Sequence, residues 1–149
     1  MIGQSGNKMA LSKMQTPIRV LVVEDHEIAQ RVAQLVLQGL GCHADVARNG
    51  KEALERFAQN HYDLVFMDIG LPDMDGLVVT TSLRSQEKKA LTASPPIPII
   101  GLTAHAGAQM RLQVIEAGMN DFLVKPLTKE NCLAILNQFV YERQDLVQS

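Results

Sequence analysis

Residues 63–76 read DLVFMDIGLPDMDG. Leu64 to Met67 form an unbroken apolar run that ends at a carboxylate, Asp68, before a loop rich in Gly, Pro and Asp. The run is too short for a helix and does not alternate, which suits a strand covered on both faces. An acidic residue placed directly after such a run has no packing role.

The surrounding sequence repeats this alternation. Ile18 to Val23 is a second β-branched apolar run, and "CHADVA" (42–47), "IPIIGLTA" (97–104) and "DFLVKP" (121–126) read as further strands. Between them apolar residues recur at helical spacing: Ile28, Val32, Leu35, Val36 and Leu40, then Ala53, Leu54 and Phe57 after the Asn49-Gly50 turn. Leu77 to Ser85, then Met110, Val114 and Ala117, then Leu133, Leu136 and Val140 continue the series. Strands that are each followed by a helix predict a parallel sheet covered on both faces. The polar connection from Ser85 to Pro96 reads as a surface loop with a helical extension at its start.

Residues 1–16 are polar and aperiodic and read as a flexible leader or linker, 17–142 as one domain, and 143–149 as a tail. The 149 residues are 46% hydrophobic with a net charge of −2, which suits one globular domain and offers no basic stripe for direct nucleic-acid binding. No apolar run approaches the ~18 residues of a membrane span, and the leader lacks a secretory core, so the expected location is the cytoplasm. Cys42 and Cys132 stand far apart with no CxxC and read as buried free thiols; His26, His43, His61 and His105 are too scattered for a zinc site.

The polar residues of the strands carry the chemistry. Glu24 and Asp25 follow the first strand, Asp68 ends the third, Thr103 the fourth and Lys125 the fifth. All fall at carboxyl ends of parallel strands, where open α/β sheets bind ligands. Two carboxylates ~4 Å apart repel by roughly 4 kcal/mol at an effective dielectric near 20, so the cluster needs a raised pKa or a cation. Oxygen ligands suit Mg2+; an ammonium and a hydroxyl can hold phosphate oxygens, and a carboxylate can attack phosphorus. Taken singly, Asp25 could cap a helix, Thr103 could end a strand and Lys125 could be a surface lysine. Together at one rim they form a coherent set.

The segments "VLVVEDHE", "DLVFMDIGLPDMDG", "IPIIGLTAHA" and "AGMNDFLVKP" resemble the receiver domains of response regulators and hybrid sensor histidine kinases, from about Pro17 to Tyr141. The resemblance implies a flavodoxin-like (βα)5 doubly wound sheet of strand order 2-1-3-4-5. It implies that Asp68 accepts a phosphoryl group from a phosphohistidine of a histidine kinase or histidine phosphotransfer domain. Glu24, Asp25, Asp68 and the Gly70 carbonyl would hold Mg2+ or Mn2+, and Thr103 and Lys125 would contact the phosphoryl group. Phe122 fills an aromatic switch position, the Lys125-Pro126 peptide would be cis, and the fourth helix, fifth strand and fifth helix would form the output face and a homodimer contact. At rest the Thr103 hydroxyl is expected to lack an acceptor, which phosphorylation supplies. "MDIGLPDMDG" and "LTAHA" look most like receivers embedded in hybrid kinases.

Such a chain catalyses its own phosphorylation and dephosphorylation without being a turnover enzyme. A nucleotide hydrolase is disfavoured because no GxxxxGK[ST] follows the first strand. A phosphatase of the haloacid dehalogenase type would place a second Asp two residues after the nucleophile, where Gly70 stands. A phosphorylation-independent interaction domain on the same fold would not need the acidic set.

Overall fold

The computed structural model describes residues 17–90 and 95–141; the leader and the tail lie outside them. Each apolar run becomes a strand: β1 Arg19–Val23, β2 His43–Ala47, β3 Leu64–Asp68, β4 Ile99–Thr103 and β5 Asp121–Val124. Between and after them lie α1 Glu27–Gly39, α2 Gly50–Gln59, α3 Gly76–Lys89, α4 Ala108–Ala117 and α5 Lys129–Ile135. The backbone of α5 runs on into wider π-type turns over Leu136–Tyr141.

The five strands pair in parallel in the order β2-β1-β3-β4-β5, the flavodoxin-like arrangement. Every residue of β3 and β4 is buried, which explains their continuous apolar runs. Side chains alternate between two faces. Val20, Val22, Phe66 and Ile100 meet α1, α5 and the turns that extend α5 through Leu37, Ile135 and Leu136. Leu21, Val23, Val65 and Met67 meet α2, α3 and α4 through Ala53, Val79, Leu83 and Val114. Cys42 and Cys132, distant in sequence, join the first of these clusters, and burial pushes their thiols up to about 11 and about 12.

The extension of α3 runs to Lys89, beyond the apolar stripe that ended at Ser85. Arg84 secures it: Nε donates to Gly118 O at 2.9 Å, Nη1 to Ile97 O and to Glu87 at 2.8 Å, and Nη2 to Asn120 at 2.9 Å. Helix α4 sits more lightly. Val114 is its one buried residue, and Leu112 and Ile115 are 66% and 51% exposed. No helix among the described residues is long and apolar enough to cross a membrane.

Candidate functional site

The register sets the carboxyl edge of the sheet. Val23 lies level with Met67, and Asp68 with Leu102, so β1 delivers Glu24 beside the end of β3 and β4 brings Thr103 next to it. Lys125 follows β5, tied by its N–H to Thr103 O at 2.8 Å, and its peptide to Pro126 is cis. Glu24, Asp68 and Thr103 are 2%, 3% and 6% exposed, unusual burial for such groups.

The Lys125 ammonium bridges two of the carboxylates, 3.0 Å from Asp68 Oδ2 and 3.2 Å from Glu24 Oε1. The remaining oxygens of this pair face backbone donors. Gly70 N–H donates to Asp68 Oδ1 at 2.9 Å, and His26 N–H to Glu24 Oε2 at 3.1 Å. Burial raises the Glu24 pKa most, and the Asp68 charge adds to it; the His26 N–H and Lys125 pull the other way without cancelling the rise. Burial alone would lower the Lys125 pKa, but hydrogen bonds and charge from Asp68 and Glu24 outweigh it and hold it above the ordinary lysine value.

Asp25 completes the acidic set differently. Its Oδ1 is sealed from solvent and has no hydrogen-bond partner, a costly state for a carboxylate oxygen. Glu24, Asp25 and His26 each offer a ligand atom within 4.8 Å of one another, with His26 Nε2 4.0 Å from Asp25 Oδ2. An orphaned oxygen among carboxylates suits a small hard cation, to which the backbone carbonyl of Gly70, two residues after Asp68, would add a further oxygen ligand. Three carboxylates against one ammonium leave the edge net negative, so the residues present fit such an ion.

Thr103 departs from expectation. Its hydroxyl already has an acceptor, donating to His105 O at 3.1 Å and accepting from His105 N–H at 3.2 Å. A two-residue backbone loop after β4 supplies this local bond, which any inward turn of the hydroxyl must break. Phe122 is half-buried opposite Gly101, and the Arg111 guanidinium lies over its ring. His26 directly follows the acidic pair in the sequence, yet reads there only as one of four scattered histidines. Arg111 on Phe122, and Asp73, whose carboxylate reaches α2, carry no local signal because both depend on packing between elements.

The sequence profile of the response regulator receiver domain matches residues 20–137. The chain is 38% identical over 121 residues to hybrid signal transduction histidine kinase B of Dictyostelium discoideum, covering 77% of this chain and 6% of that protein. It is 40% identical over 128 residues to the aerobic respiration control sensor protein ArcB of Escherichia coli, covering 86% of this chain and 16% of that protein. The chain thus spans a small part of the length of these relatives. Among solved structures, the receiver domain of Saccharomyces cerevisiae Ssk1, crystallised with the histidine phosphotransfer protein Ypd1, superposes with a TM-score of 0.77 at 27% identity, covering 83% of this chain and 88% of that one. Chemotaxis protein CheY4 of Vibrio cholerae superposes with a TM-score of 0.75 at 26% identity, covering 84% of this chain and 100% of that one.

Proposed function

Because this chain belongs to the response regulator receiver domain family, we propose that Asp68 is its phosphoacceptor, taking a phosphoryl group from a phosphohistidine on a histidine kinase or histidine phosphotransfer domain. The observation that carries this reading is the Lys125 ammonium held 3.0 Å from a nearly buried Asp68 at the carboxyl edge of the sheet.

An Asp68 carboxylate oxygen attacks phosphorus; the new O–P bond forms as the P–N bond breaks, and the imidazole nitrogen keeps that electron pair. Lys125 is placed to meet the charge on the transferred oxygens, and the Thr103 hydroxyl can join it once it leaves His105 O. Glu24, Asp25, Asp68 and the Gly70 carbonyl would hold Mg2+ or Mn2+. When bound, that ion offsets negative charge on the carboxylates and the phosphoryl oxygens.

The output is a change on the face built by α4, β5 and α5, with Phe122 turning as Thr103 is drawn inward. The lightly held α4 and its exposed Leu112 and Ile115 favour this face for a partner or a second copy of the chain. The kinship with sensor kinases supports a place in the cytoplasmic part of a hybrid histidine kinase.

Intact-mass measurement after treatment with acetyl phosphate tests the acceptor. One phosphoryl group should be gained only with a divalent ion present, and none in Asp68→Asn; stable incorporation into that variant would sink the assignment.

A further inference from the structure

Asp73 lies in the loop joining β3 to α3 but is bound to a different helix. Its Oδ1 accepts from Gly50 N–H at 2.8 Å and its Oδ2 from Lys51 N–H at 3.1 Å, the first two residues of α2. The next donor, Glu52 N–H, goes to Asn49 Oδ1 at 2.8 Å. The open N–H groups of one helix end are therefore divided between a neighbouring cap and a carboxylate 23 residues further along the chain from Gly50. The charge also suits the positive end of the helix dipole.

An apolar contact reinforces the polar one. A Cβ on Gly50 would lie 2.6 Å from Met74 Cγ and 2.8 Å from Val79 Cγ2, so Met74 packs directly on the glycine that opens α2. The neck of the same loop is closed by Gly76 N–H donating to Ile69 O at 3.0 Å, with Gly76 packed against the Asp68 carbonyl. Between neck and tip stands Gly70, whose N–H holds Asp68 Oδ1. Among the described residues, the long-range polar tether of the loop tip is Asp73 on α2.

We propose that Asp73 is a positioning residue: by seating the loop tip on α2 it holds the Gly70 carbonyl and the Asp68 carboxylate where both can take one divalent ion. This rests on the reading of Asp68 and Gly70 as ligands given above. Ligand groups must be held within about 0.5 Å of productive geometry by a packed and hydrogen-bonded supporting shell, and Asp73 with Met74 supplies that support at the loop tip. Supporting groups of this kind typically govern metal affinity by ~10–100-fold. Asp73 touches no ligand directly, so the lower figure applies.

The test measures Mg2+ and Mn2+ affinity by calorimetry in the parent, Asp73→Asn, Asp73→Ala and Gly50→Ala. The initial rate of phosphorylation by acetyl phosphate is followed in each across metal concentrations. The Asp73 variants should bind either ion about tenfold more weakly, and saturating metal should restore most of the rate. Gly50→Ala alters no charge but drives Met74 off α2, and it should weaken binding in the same direction. Urea unfolding establishes that each variant is folded; should Asp73→Ala fail to fold, Asp73→Asn and Gly50→Ala carry the comparison. Parent-like affinity in the folded Asp73 variants overturns the positioning role, as does a loss confined to them with Gly50→Ala unaffected, which would mark a plain charge effect. A parent that binds neither ion overturns the ligand reading and this proposal together.

Discussion

The guanidinium of Arg111 on α4 stacks over the ring of Phe122 on β5, Cζ 5.3 Å from the ring centroid, while its Nη1 lies 3.7 Å from Asp121. One side chain thus joins the lightly packed helix to the strand beside it. At an exposed site such stacking is worth about 0.5–1 kcal/mol, and the ion pair, with Arg111 61% exposed, adds little. Replacing Arg111 with Met should shift the resting population about two- to fivefold towards the phosphorylated-like state. Amide NMR shifts of Phe122 and Val124 during titration with beryllofluoride check this. Superimposable titrations in parent and R111M would show that the guanidinium has no hold on the ring.

Glu24 makes apo stability depend on pH. Its carboxyl ionises near 4.5 in the unfolded chain and higher in the folded one, where burial foremost opposes the charge. Its contribution is therefore complete below about pH 4.5 and is lost as pH rises through the folded value. Glu24→Gln should flatten the fall in melting temperature as pH rises from about 4.5, measured in chelator. Added Mg2+ should stabilise the parent increasingly as pH rises over the same range, since deprotonated carboxylates are the ligands. Equal slopes in both proteins would contradict the assignment.

The buried thiols act at the alkaline end. Cys42 and Cys132 rise from 9.0 to about 11 and about 12, and Tyr62 from 10.0 to about 12, each chiefly through burial. Unfolding lets them ionise at their ordinary values, so their contribution is full below about pH 9 and drains away as pH climbs towards the folded values. The urea midpoint should fall steeply above about pH 9, and less steeply in the Cys42→Ala, Cys132→Ala double variant. At neutral pH both thiols should resist an aromatic disulfide reagent until the protein unfolds.

Arg84 should prove a stability residue rather than a signalling one. Its side chain is 17% exposed and serves four acceptors on three segments. Arg84→Ala leaves those groups half-satisfied and should cost about 2–3 kcal/mol in urea unfolding. Arg84→Lys should recover little, because one ammonium cannot span the same fork. Amide exchange at Ile99 and Asn120 should accelerate in both variants, and metal affinity should stay as in the parent.

The strands and the rim chemistry were legible because both are written locally. Leu64 to Met67 has to be a doubly covered strand, and Asp68 after it has to face something polar. Glu24, Thr103 and Lys125 were found by the same logic, since a strand end fixes where a side chain points. What escaped depends on which elements meet. Asp73 read as an ordinary loop residue because nothing near it announces that α2 will arrive overhead. The resemblance implies a Thr103 hydroxyl without an acceptor at rest, but the turn after β4, which no strand pattern describes, supplies one in His105 O. Cys42 and Cys132 seemed isolated until α5 packed beside the start of β2.

The strand order also dictates when the carboxylates acquire their counter-charge as the chain folds. Pairing of β1 with β2 and β3 needs nothing beyond Asp68, so Glu24, Asp25 and Asp68 can be gathered by the first half of the chain. Lys125 arrives only when β5 docks on β4 at the far edge. Any ensemble in which the first three strands have closed and the fifth has not carries an uncompensated cluster of negative charge. That repulsion raises the barrier ahead of β5 docking, and its cost falls as ionic strength shortens the reach of the charges. Refolding should therefore quicken with added salt, more so with millimolar divalent ion, and Asp68→Asn should refold faster than the parent in salt-free buffer.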